Sequence, residues 1–365
     1  MWARLSLVLG LLYLFLVGVR LLEVGIKTFG EDTAQRLFEG VANPLAALFV
    51  GVLATVMVQS SSVTTSTIVG LVAAGVLPIE TAVPMVMGAN IGTTITNTIV
   101  ALAHLRRSEE FRRAFVGATM HDFFNLAAVA ILFPLELLTG VLSRTASAIA
   151  HLLAGSGVGG TFKSPIKAQV KAGAAFIESL VERIVGHPGF LAAILLVIGV
   201  ALIFATLTFI TRNMKVLVAD RIERSMNAAL SRSGSIGMLV GLIVTVAVQS
   251  SSITTSILIP IIASGLLLAR NAYPITLGAN VGTTVTALIA ALGAGKVDGL
   301  TIAFVHLLFN LSGIVILYVP RPLRDIPIRL AEALAGVAIA RKSLAIAYVV
   351  GTFIVIPAVG IFLLS

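Results

Sequence analysis

Cysteine is absent from this chain, and charged residues make up only 11% of its 365 residues. The missing cysteines exclude disulfide bonds, thiolate metal sites and thiol nucleophiles. The scarcity of charge, with 58% hydrophobic residues and a mean hydropathy of +1.07, excludes an ordinary soluble domain, which carries about twice that charge. The composition therefore predicts a protein that crosses a lipid bilayer several times.

The motifs of several enzyme classes are missing as well. The sequence contains no Gly-x-Ser-x-Gly elbow, no Walker-type phosphate loop and no histidine-rich metal motif. His121 and Asp122 are chain neighbours, so on a helix their side chains point in different directions and do not form a catalytic triad with a serine. We therefore expect neither an ATP-driven pump nor an intramembrane hydrolase, and no enzymatic activity.

The formal net charge is +9, and the basic residues are gathered in short connectors. In a membrane protein such clusters mark loops on the cytoplasmic side or at the lipid surface, so we expect the bilayer, and no nucleic acid, as the partner of this charge. The clusters span residues 106–113, 163–171, 212–232 and 321–342.

A pair of polar motifs occurs twice. VQSSSVTTS at 58–66 is followed by GANIGTTIT at 88–96, and VQSSSITTS and GANVGTTVT stand 190 residues further along the chain. HDFFN at 121–125 and HLLFN at 306–310 extend the match. A fixed offset over this length indicates a duplicated structural unit. Two related halves joined by a linker are typical of secondary transporters, often with inverted topology.

We predict an all-α polytopic membrane protein with two inverted repeats, broken helices and re-entrant hairpins. The interrupted apolar runs predict that helices break at 59–62, 77–84 and 88–92. Predicted boundaries assign residues 1–140 to repeat 1 and 141–188 to a connector. Residues 189–319 form repeat 2, and 320–365 form an amphipathic segment with the last transmembrane helix.

The polar motifs predict exposed helix starts inside apolar sequence, because serine, threonine and asparagine cap helices and glycine lets a helix break. Free amides at a helix start suit an oxyanion, and neutral side-chain oxygens suit Na⁺. Asp122 has Leu307 as its counterpart, so this single intramembrane carboxylate predicts an extra cation site. The small-residue spacing of GANIG leaves a second interpretation open, in which the glycines let helices pack closely.

These motifs resemble the type II sodium/phosphate cotransporter family over residues 44–136 and 234–319. The resemblance rests on QSSS with GANIGTTITNTIVAL and HDFFN, and on QSSS with GANVGTTVTALIAAL. It implies Na⁺-driven uptake of inorganic phosphate by alternating access, in the cytoplasmic membrane of a prokaryote. It implies no cofactor, since Na⁺ is a co-transported ion, and it leaves the oligomeric state open.

The resemblance also implies site residues. For phosphate they are Ser60, Ser61, Ser62, Asn90, Ser251, Ser252 and Asn280. For Na⁺ they are Gln59, Thr93, Asp122, Asn125, Gln249, Ser250, Thr283 and Thr286. The aspartate implies electrogenic transport, with three Na⁺ for each HPO₄²⁻. Two alternatives stay open: a Na⁺-coupled carrier of another oxyanion such as arsenate or sulfate, and a passive anion channel.

Overall fold

The computed structural model describes residues 2–29, 43–155, 165–185, 187–229 and 234–364. Regular structure in these ranges is helical, with no β-strand. The first nine helices are α1 (Trp2–Phe29), α2 (Pro44–Val58), α3 (Ser61–Ala73), α4 (Ile79–Thr93), α5 (Ile95–Leu102), α6 (Ser108–Thr139), α7 (Val141–Gly155), α8 (Pro165–Glu182) and α9 (Pro188–Ala229).

The other helices are α10 (Gly234–Val248), α11 (Ser251–Ala263), α12 (Ala269–Ala294), α13 (Val297–Gly313), α14 (Arg321–Arg324), α15 (Ile326–Ala340), α16 (Lys342–Val350) and α17 (Ile356–Leu364). A π-helical turn follows α13 at Ile314–Tyr318, and another joins α16 to α17 at Gly351–Val355. Six helical stretches among the described residues are long and apolar enough to cross a membrane, which confirms the predicted all-α polytopic class.

The two halves share one order of helices. The series α2, α3, α4–α5 and α6 of the first half returns as α10, α11, α12 and α13 of the second. Each QSSS motif separates a 15-residue helix from a 13-residue helix. Fifteen helical residues rise only about 22 Å, so none of these pieces spans a hydrocarbon core of about 30 Å by itself.

The predicted break at 88–92 is wrong. Gly88 lies inside α4, and its counterpart Gly278 lies inside α12. A Cβ atom on Gly88 would collide with the carbonyl oxygen of Leu48 in α2, and one on Gly278 with that of Met238 in α10. These glycines therefore let α4 pack on α2, and α12 on α10, at backbone distance, so close helix packing is the correct interpretation of their spacing.

The break predicted at 77–84 is shorter than expected. The chain leaves the helical conformation between Ala73 and Ile79, but Pro84 stands inside α4 and is buried. A chain break therefore separates α3 from α4, and another, at Thr94, separates α4 from α5.

Two helices outside the predicted repeats are exchanged between the halves. Helix α7 follows α6 in the chain but packs on α13, whereas α15 follows α13 and packs on α6. Both are 15 residues long, and α15 lies 185 residues beyond α7, the offset of the preceding helix pair. Ala146 and Ala150 of α7 and the equivalent Ala331 and Ala335 of α15 are all fully buried. The internal similarity thus continues through these helices, and each half holds the other.

Candidate functional site

The helix breaks at the QSSS motifs have the same backbone geometry. Gln59 has φ 56° and Gln249 has φ 59°, the two non-glycine residues in the left-handed region within the described residues. Each following serine is extended and caps the next helix, because Ser60 Oγ accepts from Val63 N and Ser250 Oγ from Ile253 N, both at 3.4 Å. A left-handed glutamine costs about 1–3 kcal/mol and is typical of functional sites.

The side chains of these glutamines are held in the same way in both halves. Gln59 Nε2 donates to Val56 O at 2.6 Å, and its Oε1 accepts from Thr96 Oγ1 at 3.0 Å. Gln249 accepts from Thr286 Oγ1 at 2.8 Å. The structure therefore joins two of the residues implied for one sodium site, Gln249 and Thr286. Thr96 was missed, although its position 190 residues before Thr286 was a sufficient signal.

The four serines implied for phosphate stand in the first turns of α3 and α11. Ser61, Ser62 and Ser251 are buried, and Ser252 is half-buried. Within the described residues no hydrogen bond engages their hydroxyls, and these oxygens are absent from the fully enclosed unpaired atoms. The amides of a first helical turn also lack acceptors in their own helix. Each helix start therefore offers hydroxyl and amide donors to a ligand.

Four asparagines join the two halves in the buried centre. Asn125 Nδ2 donates to Asn90 O at 2.7 Å, and Asn310 Nδ2 donates to Asn280 O at 3.2 Å. Asn280 Nδ2 donates to Asn125 Oδ1 at 3.1 Å and to Asn310 Oδ1 at 3.0 Å. Asn125 is thus grouped with the two asparagines implied for phosphate, whereas no hydrogen bond in the described part links it to Gln59. Asn310 was missed, and the match of HLLFN to HDFFN could have identified it.

Other predicted threonines bond within their own helices. Thr93 Oγ1 donates to Ala89 O at 2.9 Å and Thr283 Oγ1 to Ala279 O at 3.2 Å. In the described structure no hydrogen bond connects Thr283 with Gln249. A bridge that the sequence did not indicate links α5 to α11, since Asn97 Oδ1 accepts from the hydroxyls of Thr255 at 2.9 Å and Ser256 at 3.1 Å.

Asp122 lies in a separate polar group of the first half. Its side chain is 1% exposed, and Oδ2 accepts from Tyr348 Oη at 3.0 Å and from Thr98 Oγ1 at 3.3 Å. Its Oδ1 is buried without a partner among the described residues. A buried carboxylate with only neutral hydroxyl neighbours favours a cation beside it. Tyr348 was missed because it lies in α16, beyond both predicted repeats.

A comparison with protein-family models shows the same duplication. The model described as Na⁺/Pi-cotransporter matches residues 14–159 and again residues 201–346. The two matches together cover most of the chain, and each contains one QSSS break. The chain belongs to the Na⁺/Pi-cotransporter family. In this family match each segment also includes one of the exchanged helices, α7 or α15. The family is one of transporters and not of enzymes, in agreement with the missing catalytic motifs.

Individual relatives agree with this family. The chain is 32% identical to the sodium-dependent phosphate transport protein 2A of Rattus norvegicus over 97% of this chain and 66% of the relative. It is 34% identical to protein 2B of Bos taurus over 96% and 63%, and 32% identical to protein 2B of Homo sapiens over 97% and 64%. The chain therefore spans slightly less than two thirds of the length of these curated relatives. No solved structure matches it.

Proposed function

We propose that this protein carries inorganic phosphate across a cell membrane together with Na⁺, by alternating access. The observation that carries the proposal is the double match to the Na⁺/Pi-cotransporter model, because each matched segment contains one left-handed glutamine break and its unpaired serine hydroxyls. The names of the relatives, sodium-dependent phosphate transport proteins 2A and 2B, support the same substrate and the same coupling ion.

The helix starts of α3 and α11 supply the chemistry that an oxyanion needs. No lysine or arginine occurs between Arg36 and Arg106, so phosphate in the first half depends on dipoles and on co-bound cations. Free amides and hydroxyls at a helix start donate hydrogen bonds to an anion, and the partial positive charge of the helix start adds to them. We assign phosphate to Ser60, Ser61, Ser62, Asn90, Ser251, Ser252 and Asn280.

Sodium ions would use the neutral oxygens beside these serines. The bond between Gln249 and Thr286 already holds an amide oxygen and a hydroxyl oxygen 2.8 Å apart, next to Ser250. Both are hard neutral donors of the kind that coordinate Na⁺ at broken helices. We assign Na⁺ to Gln249, Ser250, Thr283 and Thr286 in one site, and to Gln59, Thr93, Asn125 and Asp122 in others.

Asp122 would set the net charge that moves. Two Na⁺ neutralise HPO₄²⁻, and a third beside Asp122 makes each transport cycle move one positive charge. A negative interior of 100 mV then contributes about 2.3 kcal/mol to uptake. The proposal includes inverted repeats and no cofactor. Related tetrahedral oxyanions such as arsenate fit the same donors, so substrate selectivity is an outcome of the test.

Uptake by proteoliposomes tests the proposal. With purified full-length chain, uptake of radiolabelled phosphate should require an inward Na⁺ gradient and should accelerate when a potassium diffusion potential makes the interior negative. Replacement of Na⁺ by choline is the control. Uptake that proceeds equally without Na⁺ would support a passive anion channel and overturn the proposed coupling, and competition by arsenate or sulfate defines the range of anions.

A further inference from the structure

A second polar cavity lies at the end of the second half that is remote from its QSSS motif. It has a volume of about 330 Å³ and lies where α10 and α12 begin and where α13 ends. Gly234, at its wall, opens α10, whereas Gln249 follows the last residue of that 15-residue helix. Fifteen residues rise about 22 Å along a helix, so this cavity is distinct from the helix break.

The cavity has an excess of positive charge. Its lining contains Arg270, Arg321 and Arg324 but one carboxylate, that of Asp325. Arg270 Nη2 pairs with Asp325 Oδ2 at 2.9 Å. Neither of the other two guanidinium groups has a carboxylate partner among the described residues. One acidic side chain therefore leaves most of the arginine charge available to an anion.

One of these guanidinium groups is fixed in place. Arg324 Nε donates to Tyr318 O at 2.8 Å, and Arg324 Nη2 donates to Val319 O at 3.3 Å. Its Cζ lies 4.5 Å from the centroid of the Tyr318 ring. A guanidinium held by carbonyl oxygens and an aromatic face keeps its charge, and a pre-oriented group loses less entropy when it binds a ligand.

The hydroxyl of Tyr273 is the strongest sign of a ligand. Tyr273 lines the cavity, its side chain is only 1% exposed, and its Oη has no hydrogen-bond partner among the described residues. Its ring is fixed between those of Phe124 and Tyr318. A buried hydroxyl without a partner is costly and rare, and an anion held by the neighbouring arginines would accept its hydrogen bond.

The first half has no equivalent of this cavity chemistry. At the corresponding positions Arg270 is replaced by Glu80, and Tyr273 by Val83. The residue 185 positions before Arg321 is Glu136, whose carboxylate accepts from the amides at the start of α7. The cavity is therefore specific to the second half and is not part of the duplicated transport machinery.

We propose that this cavity binds a phosphate group. Arginine is the residue best suited to phosphate oxygens, and a tyrosine hydroxyl supplies a further donor. The group belongs either to an anionic phospholipid, since basic cavities between membrane helices hold such headgroups, or to free inorganic phosphate at a site additional to the transport site. Binding is independent of coupling to Na⁺, so the proposal stands or falls separately from the proposed transport function.

Native mass spectrometry and phosphate binding separate the two sources. Full-length chain is reconstituted in phosphatidylcholine nanodiscs with or without phosphatidylglycerol, and retained lipid is counted after gentle release. In phosphatidylcholine alone, equilibrium dialysis with radiolabelled phosphate counts bound phosphate. Arg321→Gln and Tyr273→Phe should each weaken the observed binding about tenfold or more. Arg329→Gln, an exposed arginine of α15 outside the cavity, is the matched control and should leave binding unchanged.

Each outcome has a definite meaning. Retained phosphatidylglycerol that is lost in both variants assigns the cavity to a lipid headgroup, and an additional bound phosphate that is lost in both assigns it to free phosphate. Wild-type binding of both probes by Arg321→Gln would overturn the proposal. Because Arg321 is exposed, its variant should fold even if the buried Tyr273→Phe change lowers stability.

Discussion

The two halves share a backbone but differ in their buried polar groups. Their glutamines have φ values of 56° and 59°, and both accept a hydrogen bond from a threonine 37 residues later. Only the first half has Asp122, whose counterpart is Leu307, and the partner Thr98, whose counterpart is Leu288. The comparison teaches that the duplicated part is the helix break with its donors, whereas ionic charge was placed in one half.

A smaller difference lies behind each break. Thr245 Oγ1 donates to Thr254 Oγ1 at 2.9 Å, whereas the equivalent Thr55 Oγ1 is buried without a partner in the described residues. Ser256 donates to Asn97, but Ser66 Oγ is unpaired, because the counterpart of Asn97 in the second half is Ala287. The same serine and threonine pattern is therefore better satisfied in the second half than in the first.

The largest effect should come from the glycines that both halves share. Gly88→Ala and Gly278→Ala should each destabilise the protein by more than about 3 kcal/mol, because a backbone carbonyl cannot move aside as a side chain can. Yield and thermal midpoint in detergent, followed by fluorescence-detected size exclusion, measure this. Gly336→Ala is the control, since its Cβ would meet no atom within 4 Å and alanine favours a helix. A wild-type midpoint for Gly88→Ala would contradict the close packing.

The next effect concerns the charge that only the first half carries. Asp122→Asn should leave Na⁺-dependent phosphate uptake measurable but reduce the net charge per phosphate from one to zero, because the third cation loses its carboxylate. Simultaneous recording of current and tracer flux in the same proteoliposomes gives the ratio.

Tyr348→Phe is the matched variant, because it removes one hydrogen bond to Asp122 and keeps the carboxylate. It should preserve the current and change the Na⁺ concentration for half-maximal uptake by about tenfold or less. An unchanged charge ratio in Asp122→Asn would remove this residue from the coupling mechanism.

A third test asks whether the matched glutamines have matched roles. Gln59→Ala and Gln249→Ala should each raise the Na⁺ concentration for half-maximal uptake by about tenfold, because each loses an amide oxygen beside the helix start. Adding Thr286→Val to Gln249→Ala should have little further effect, since the two residues share one interaction. Full additivity of the two changes would show that they act at different sites.

The smallest effect uses the threonines behind the breaks. Thr245→Val should lower the free energy of unfolding by about 1 kcal/mol, because it leaves Thr254 without its donor. Thr55→Val should be neutral or stabilising, since it removes a hydroxyl that has no partner among the described residues. The two thermal midpoints, measured in parallel, should therefore shift in different directions or by clearly different amounts. Equal losses would contradict the difference between the halves.

Part of the candidate site could be predicted because its cause is local. Serine after a helix end caps the next helix through its own hydroxyl, and this bond joins residues only three positions apart. The breaks at Gln59 and Gln249 therefore follow from a short motif. The glycines of GANIG were wrongly predicted to break a helix, because the same residue type serves both a break and a close approach. The neighbouring helix decides between the two.

The sequence by itself determined the membrane class, the duplication, the family and the positions of the helix breaks, since all four are read from composition or from short motifs. Only the tertiary structure decided that Asn280 meets Asn125, 155 residues away, and that Tyr348 meets Asp122, 226 residues away. It also decided that α7 and α15 exchange partners. Contacts at such separations depend on how whole helices pack, and local preference contains no information about which distant helix supplies the partner.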